Sequence, residues 1–323
     1  MFRSAQLIKF NTNSLTCTVA IPTYRRPEYL RRAAISVVSQ NVSPEYLLLV
    51  AREDDLPTRK VIAELISHNR SRTQIVEATV TEPGFLPPII AATQMASTDV
   101  LAFLDDDADA PEDWLGRHLR LYSEEQVGAT GGRYINYFDG VLQKYPIAKK
   151  VASLSWSGDL IGNMHCDCAF SNPIDVDSLI GGNMSFRLEY LRKCLPDERL
   201  RSNVAFYWEL DVAQKIKKLG LRVRFDPLCT VNHHSAPREI DGLRTVNYDG
   251  VYWHNYNFSL LMREHLSRHG FLVYILKTLL IGNRISPGIA YIIYSLIRNR
   301  PLLLKKELIA SIRGRISGIF SPI

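Results

Sequence analysis

The stretch CTVAIPTYRRPEYLRRAAISVVSQ, residues 17–40, decides the fold class of this 323-residue chain. Its first part, residues 17–24, is an apolar and β-branched run stopped by Pro-Thr-Tyr, which predicts a buried strand that runs into a loop. Its second part, residues 27–40, repeats apolar side chains at helical spacing and begins with Pro27, which suits a first helical turn. The stretch therefore predicts a strand, a polar loop and an amphipathic helix in that order.

The same unit is repeated along the following residues. Apolar strands are expected at 46–54, 73–80 and 98–107, with helices at 57–69 and 87–97. The strands are continuous apolar runs rather than alternating ones, which is typical of a parallel sheet covered on both faces. The sequence therefore predicts an α/β fold with a mostly parallel central sheet flanked by helices.

The pattern changes after residue 115. Segments rich in strands and turns are followed by a helix at 209–220, and from about residue 255 the pattern is helical. The chain has a net charge of +6, and residues 263–323 contain ten Lys or Arg against two acids, so the basic excess belongs to the tail. We expect a main domain over residues 1–240 and a helical, basic C-terminal region over residues 241–323.

This C-terminal region combines apolar helical runs with basic residues. The runs at 271–281 and 285–297 are interrupted, and neither reaches the roughly 18–20 residues of a membrane-spanning helix. Basic residues set among apolar ones are typical of helices that lie at a membrane surface. Packing on the core, or on a second subunit in a homodimer, would explain the same pattern. We expect no nucleic-acid partner, because the sequence shows no basic face with base-stacking aromatics.

The cysteines and the N-terminal residues bear on the compartment. Five scattered cysteines form no disulfide framework, and the first residues contain no apolar leader segment. A reducing compartment fits best. We therefore expect a cytoplasmic protein that lies at the cytoplasmic face of a membrane.

Polar residues follow the predicted strands at the edge where such sheets bind ligands. The three clusters are Thr23 to Arg25, Glu53 to Asp55, and Asp105 to Asp107. Three consecutive aspartates after an apolar strand are disfavoured by desolvation and by mutual repulsion. A divalent cation bound to phosphate oxygens resolves this conflict, since such cations prefer carboxylate ligands. The alternative is a solvated strand end or a helix start.

Two further segments carry ionisable side chains. Glu209 and Asp211 stand at a predicted helix start, where they either complement the helix dipole or supply a general base. His233 and His234 follow a predicted strand. Such a pair is more often structural than functional, although a neutral imidazole is also a common metal ligand.

Four motifs, in this order along the chain, resemble those of inverting glycosyltransferases of family two, which have the GT-A fold. They are VAIPTYRRPEYLRRAAISVVSQ, FLDDDADAPEDWL, GGNMSFRLEYL and FYWELDVAQKIKKLGLRVRFDPLCTVNHH. The resemblance covers about two thirds of the chain. It implies a Rossmann-like nucleotide-diphospho-sugar transferase fold.

On the donor side, the resemblance implies two sets of residues that bind the nucleotide sugar. The pocket for the nucleotide would include Pro22, Thr23, Tyr24, Arg25, Asp54 and Asp55, with Asp105 near the ribose and Asp106 beside it. A divalent metal, Mn²⁺ or Mg²⁺, would be held on the diphosphate by Asp105 and Asp107, joined by His233 or His234.

On the acceptor side, the resemblance implies that Glu209 is the catalytic base, with Asp211 as a possible second acid. Gly182, Asn183 and Trp208 would lie on this side. The implied activity is metal-dependent, inverting sugar transfer, of the hexosyltransferase type, from a nucleotide-diphosphate donor to an acceptor hydroxyl. The acceptor would be a saccharide or a lipid-linked saccharide in polysaccharide or glycolipid synthesis.

Two departures from the family pattern keep other functions open. Trp208 stands where relatives usually have an acid, and residues 88–90 read Pro-Ile-Ile where relatives often have Arg-Asn. A catalytically degenerate scaffold at the membrane would tolerate both changes. A nucleotidyltransferase is the other alternative, but it usually carries a glycine-rich phosphate loop, which PTYRRPE at 22–28 lacks.

Overall fold

A computed structural model describes residues 15–200, 205–236, 247–298 and 305–322 of the chain. The described helices are α1 Pro27–Val38, α2 Leu56–His68, α3 Leu86–Met95, α4 Trp114–Leu121, α5 Leu188–Lys193, α6 Trp208–Lys218, α7 Tyr248–His265, α8 Arg268–Leu280, α9 Ile289–Ile297 and α10 Lys305–Ile319. The described strands are β1 Cys17–Thr23, β2 Tyr46–Arg52, β3 Gln74–Val80, β4 Val100–Leu104, β5 Ala108–Asp109, β6 Val127–Phe138, β7 Val141–Leu142, β8 Ser153–Leu154, β9 Leu160–Ile161, β10 Ile174–Asp175, β11 Asn183–Arg187 and β12 Arg222–His233.

The central sheet has the order β10-β12-β6-β11-β4-β1-β2-β3. The strands β4, β1, β2 and β3 are parallel to one another, as the N-terminal pattern predicts. Strand β11 lies antiparallel between β4 and β6, and β12 runs parallel to β6. The carboxyl ends of β1 and β4 therefore lie side by side, and they meet the end of β12 through the short strand β5.

Both faces of the sheet are covered. Val19 and Ile21 of β1 face one apolar core with helix α1, and Ala20 of the same strand faces the other core with helix α3. This explains why the strands are apolar without alternation, because each successive side chain enters one core or the other. The predicted fold class is confirmed by this architecture.

The C-terminal helices pack on this core. Leu260, Leu261 and Met262 of α7 belong to the same buried cluster as the sheet residues that face α3 and α6, and α10 packs along α7. Helix α7 begins at Tyr248, somewhat earlier than the helical pattern indicates. The predicted domain boundary at residue 240 lies outside the described residues. Within the described part of the chain, no helix has both the length and the apolar character needed to cross a bilayer.

Candidate active site

Two aspartates and a histidine converge where β4 and β12 end. Asp105 and Asp107 follow the last residue of β4, and His233 is the last residue of β12. The pairing of His233 with Ala108 of β5 brings the histidine next to the aspartate loop. One ligand atom from each of the three side chains lies within 4.8 Å of the other two.

Asp107 is the most buried of these three side chains. Its Oδ1 lies 3.2 Å from Nε2 of His233, and its Oδ2 accepts hydrogen bonds from Nη1 of Arg26 at 3.1 Å and from the Ala236 amide at 3.0 Å. Burial alone would raise the pKa of Asp107, but the bond to His233 and the charges of His233 and Arg26 outweigh it, so the pKa is lowered. Asp107 is therefore held as a carboxylate.

Asp106 has a different role from its neighbours. Its side chain accepts from Oγ1 of Thr23 at 2.9 Å and from Arg26 at 2.9 Å, and it is buried. Burial raises the pKa of Asp106, and the charge of Asp107 acts in the same direction, although Arg26 opposes them. Its contacts tie the end of β1 to the aspartate loop, so Asp106 positions this loop from within the protein.

Asp105 is oriented from the opposite side by Tyr134 of β6. The Tyr134 hydroxyl donates to Oδ2 of Asp105 at 2.7 Å and accepts from the Gly182 amide at 2.6 Å. A Cβ atom at Gly182 would overlap the carboxylate of Asp105 and the Tyr134 hydroxyl. No sequence motif includes Tyr134, whereas the Gly-Gly pair at 181–182 marked its partner.

The cluster fits a divalent cation. Two carboxylates and one imidazole are donors that Mn²⁺ and Mg²⁺ sites use, and each of the three donors is oriented by hydrogen bonds to other residues. His234 is directed elsewhere, since its Nε2 contacts Asp109 and its ring stacks on Tyr137. Of the adjacent histidines, His233 is thus the one that shares the cluster with the aspartates.

The predicted nucleotide pocket lies beyond β1 and β2. Arg25, whose φ of 56° is left-handed, donates its backbone N–H to Asp55, which also caps helix α2 through the Thr58 amide at 3.3 Å. The ring of Tyr24 lies against the guanidinium of Arg25 and against that of Arg52, with centroid distances of 4.9 Å and 4.5 Å.

Two other predicted donor residues have simpler surroundings. The first is Asp54, whose carboxylate lies 2.8 Å from the guanidinium of Arg52. Pro22 lies in β1, one residue before its end, and pairs in register with Val50 of β2. The strand ends thus bring the predicted donor residues together.

A cavity of about 530 Å³ lies next to the Gly181-Gly182 pair and is lined by the preceding residue, Ile180. Glu209 of α6 lines it, together with apolar and aromatic side chains that include Phe85, Leu179, Phe206 and Val251. A Cβ atom at Gly181 would stand 2.8 Å from Oε1 of Glu209. The Glu209 carboxylate thus approaches Gly181, and the Asp105 carboxylate approaches the next residue, Gly182.

The backbone before Glu209 is in an unusual conformation. Tyr207, the residue that precedes α6, has a left-handed φ of 69°, a backbone angle that residues other than glycine rarely adopt. Its hydroxyl lies 3.0 Å from Nε2 of His254 on α7, and the two rings pack edge to face. Burial lowers the pKa of His254 to about 4, so its imidazole is neutral. Sequence reasoning missed His254, because it belongs to no motif.

Three residues predicted for the acceptor side are buried in structural contacts. Asp211 accepts from Nε2 of His265, from Nζ of Lys215 and from the Asp197 amide, each at 2.7–2.8 Å. Trp208 packs edge to face against Phe103. Neither Trp208 nor Asp211 lines the cavity, although both belong to the helix that carries Glu209.

Asn183 is the third of these residues. Its Oδ1 accepts from Nε1 of Trp114 at 2.8 Å and lies 3.1 Å from Nε2 of His118. Its Nδ2 donates to two backbone carbonyls, those of Arg133 and Cys229. The amide therefore joins β11 to β6, β12 and α4. These contacts explain the Asn183 side chain as a structural one, with no need for a bound sugar acceptor.

A family model described as "Glycosyl transferase family 2" matches residues 18–194, more than half of the chain. The chain belongs to this family. A curated relative, the succinoglycan biosynthesis protein ExoW of Rhizobium meliloti (strain 1021), is 29% identical over 130 residues. This match covers 38% of the chain and 41% of ExoW, so the chain spans less than half of the relative that it matches.

Solved glycosyltransferase structures share the fold of this family member. Staphylococcus aureus TarS 1-349 with UDP-GlcNAc has a TM-score of 0.62 at 13% identity, covering 94% of the chain and 82% of TarS. GalNAc-T7 with UDP, GalNAc and Mn²⁺ has a TM-score of 0.60 at 16% identity, covering 91% and 59%. The mannosyltransferase PcManGT from Pyrobaculum calidifontis with GDP-Man and Mn²⁺ has 0.56 at 12%, covering 97% and 89%. The predicted family and the predicted GT-A fold are both confirmed.

Proposed function

We propose that this protein is a metal-dependent, inverting glycosyltransferase of the hexosyltransferase type that moves a sugar from a nucleotide-diphosphate donor to an acceptor hydroxyl. One observation carries the proposal. The cluster of Asp105, Asp107 and His233 approaches Gly182 through Asp105, and Glu209 approaches the neighbouring Gly181. An enzyme that displaces a diphosphate with a hydroxyl needs a stabiliser of negative charge and a base placed in this way.

On the donor side, the residues beyond β1, β2 and β4 would bind the nucleotide diphosphate. Related structures hold UDP, UDP-GlcNAc or GDP-Man, which supports a donor of that class. Tyr24, Arg25 and Asp55 would bind the nucleotide, and Asp105 would approach the ribose. Arg26, held between Asp106 and Asp107, adds a positive charge to this side.

The cluster of Asp105, Asp107 and His233 would hold Mn²⁺ or Mg²⁺. When bound, such a cation stabilises the negative charge that develops on a departing diphosphate. The protein prepares the site by keeping Asp107 ionised and by fixing Asp105 through the hydroxyl of Tyr134. These hydrogen bonds hold the carboxylates in place before the ligand arrives.

On the acceptor side, Glu209 would act as the general base. As the acceptor oxygen attacks the anomeric carbon, its proton passes to the Glu209 carboxylate. The bond between the anomeric carbon and the diphosphate oxygen breaks in the same step, and the electron pair leaves with the diphosphate. A single displacement of this kind inverts the anomeric configuration.

The acceptor would be a saccharide or a lipid-linked saccharide, and the process polysaccharide or glycolipid synthesis at the cytoplasmic face of a membrane. The similarity to ExoW, a succinoglycan biosynthesis protein, supports a polysaccharide context. Aromatic side chains in the cavity, including Phe206 and Phe85, provide faces on which sugar rings can pack.

The proposal is tested by incubating the purified protein with a panel of UDP-, GDP- and TDP-sugars, with Mn²⁺, with Mg²⁺ or with EDTA. We expect metal-dependent hydrolysis of one donor class, and an inverted anomeric carbon in the first product detected by NMR. Metal-dependent thermal protection by a nucleotide diphosphate without any turnover would instead favour the degenerate scaffold. Release of pyrophosphate from a nucleoside triphosphate and a sugar phosphate would favour a nucleotidyltransferase.

A further inference from the structure

Helices α8 and α9 expose apolar stripes that a helix of a globular protein normally buries. Each stripe has the spacing i, i+4, i+7 and i+8 and contains four large aliphatic residues. Their side chains are between 50% and 74% exposed, and they are Leu272, Leu276, Leu279, Leu280, Ile289, Ile293, Leu296 and Ile297. We call these eight residues the α8–α9 surface.

Helix α9 buries a polar side chain and exposes apolar ones, the reverse of the usual arrangement. Its one buried residue is Ser295, which is fully buried, while four large aliphatic side chains face outward. The backbone N–H of Tyr291 in α9 donates to the carbonyl of Ile281 after α8 at 3.2 Å, which joins the two helices at their turn. Exposing so much apolar area to water is unfavourable, so these stripes require an apolar environment.

A tryptophan from another part of the chain lies next to the first turn of α8. The loop between β8 and β9 packs against Gly270, and Nζ of Lys277 donates to the Ser157 carbonyl at 2.9 Å. In this loop Trp156 remains 69% exposed. Tryptophan is enriched at the boundary between water and lipid, because its ring is apolar and its N–H is polar.

The charges around this surface favour an anionic partner. Residues 265–306 contain seven Lys or Arg and no Asp or Glu. Arg268 at the start of α8, Arg284 between the helices and Arg298 after α9 are exposed. A second copy of the chain would bring the same positive charges against these, which disfavours self-association through this face. Anionic lipid headgroups above an apolar layer complement both the charges and the stripes.

We infer that the α8–α9 surface, with Trp156, binds an anionic bilayer, and that α8 and α9 lie in its interface. The purpose of this contact rests on the proposed function. Ile285, in the turn between α8 and α9, also lines the cavity that contains Glu209. Docking through this face would therefore place the cavity beside the headgroup layer, where the saccharide of a lipid-linked acceptor is displayed.

The test uses the full chain and sedimentation with vesicles of phosphatidylcholine and phosphatidylglycerol. We expect the wild type to bind, and Leu276→Glu with Ile293→Glu to weaken binding at least about tenfold, because both charges would enter an apolar layer. The matched control is Ile66→Glu with Leu228→Glu, which changes two exposed aliphatic residues outside this surface and should bind like the wild type. Arg284→Glu with Arg298→Glu should weaken binding to anionic vesicles much more than binding to pure phosphatidylcholine.

Two results would overturn the inference. One is equal vesicle binding by the wild type and by the Leu276→Glu, Ile293→Glu variant, or no binding by either. The other is a wild type that is dimeric in analytical ultracentrifugation and does not bind vesicles, together with a Leu276→Glu, Ile293→Glu variant that is monomeric. This result would assign the surface to a second copy of the chain. Thermal protection by nucleotide diphosphate and Mn²⁺, measured on the same samples, reports on the donor site alone. A failure of the proposed function would thus leave the vesicle result readable.

Discussion

The two sides of the candidate active site are built in different ways. On the donor side, Asp105, Asp106 and Asp107 are each held by hydrogen bonds from other elements, and Asp106 and Asp107 share Arg26. On the acceptor side, Glu209 lines a largely apolar cavity beside a left-handed tyrosine. The donor side is thus a fixed polar network, whereas the acceptor side is an apolar wall with one carboxylate.

This difference follows from where the side chains come from. The donor residues follow strands of one sheet, so the register of β1, β4 and β5 brings them together. The acceptor cavity combines α6 with α7 and with the turn after α8, which are far apart in the sequence. A polar network suits a diphosphate whose chemistry is constant, and an apolar wall suits an acceptor that differs from one enzyme to another.

The largest effect is expected from Asp107→Asn on the donor side. Losing one stabiliser of developing charge lowers turnover about 10²–10³-fold, and weaker donor binding lowers kcat/KM further. The thermal protection that nucleotide diphosphate gains from Mn²⁺ should disappear. The control is Asp113→Asn, which changes an exposed aspartate paired with Arg117 and should keep both the turnover and the thermal protection. Unchanged metal and nucleotide titrations in Asp107→Asn would contradict the metal assignment.

Glu209→Gln should affect chemistry without affecting the donor. Removing a general base typically lowers kcat about 10²–10⁴-fold, while the amide keeps the size of the side chain. Calorimetric titration with nucleotide diphosphate and Mn²⁺ should give an affinity within about twofold of the wild type, because Glu209 is not among the residues of the cluster. An equal loss of donor binding and turnover would contradict the assignment of these two roles to separate sides of the site.

Asp211→Asn tests whether Asp211 has a structural role that differs from the role of Glu209, the other acid of α6. Asp211 is buried and bonded to His265, Lys215 and the Asp197 amide, so an asparagine there removes the negative charge and turns its NH₂ group toward at least one of these donors. We expect the free energy of unfolding in urea to fall by about 3 kcal/mol. The kcat of the folded fraction should stay close to the wild-type value. A loss of kcat comparable to that of Glu209→Gln, at unchanged stability, would show that Asp211 takes part in the chemistry.

Acid should lower the stability of the folded protein through His254, a residue of the acceptor side. Burial lowers the pKa of His254 from 6.5 to about 4, and its neighbours are the Phe206 ring and the Tyr207 hydroxyl, whose own pKa is raised by burial. Between pH 6.5 and 4 the unfolded chain therefore binds more protons than the folded one, so stability falls as the pH falls.

His254→Phe should reduce this fall, measured by urea unfolding at several pH values, by about 2 kcal/mol. The rest of the fall should come from His118, whose pKa burial also lowers to about 4, and from carboxylates whose pKa is lowered by their partners, such as Asp107 and Asp211. An identical pH profile in the variant would show that His254 is not buried as a neutral side chain.

The sequence predicted that polar residues would meet at the sheet edge because local patterns are sufficient there. A strand that is apolar on both faces needs no distant information, and a polar residue after it must lie at the sheet edge. Thr23 and the three aspartates follow this rule: Thr23 donates to Asp106, and Asp105 and Asp107 share a cluster with His233. The choice between His233 and His234 needed the β5–β12 pairing, which selects one face of the strand.

The acceptor side was harder to predict for the opposite reason. The surroundings of Asn183 depend on Trp114 and His118, and those of Asp211 on His265, each more than fifty residues away. No local pattern distinguishes a polar residue with a distant buried partner from one that faces a substrate. His254 and Tyr134 belong to no motif at all. Only the tertiary contacts show that they orient the residues around the site.

The Gly181-Gly182 pair acts as a spacer of fixed length between two functions. A side chain at the first position would push against Glu209, and one at the second would displace Asp105. Because only backbone stands at these two positions, substitutions elsewhere in the cavity wall would leave the proposed base and the proposed metal ligands in place. New acceptors can then be selected by substitutions at Phe206, Val251 or Ile285 while the geometry of the displacement stays the same. Under the proposed function, acceptor specificity and reaction chemistry would be separately adjustable.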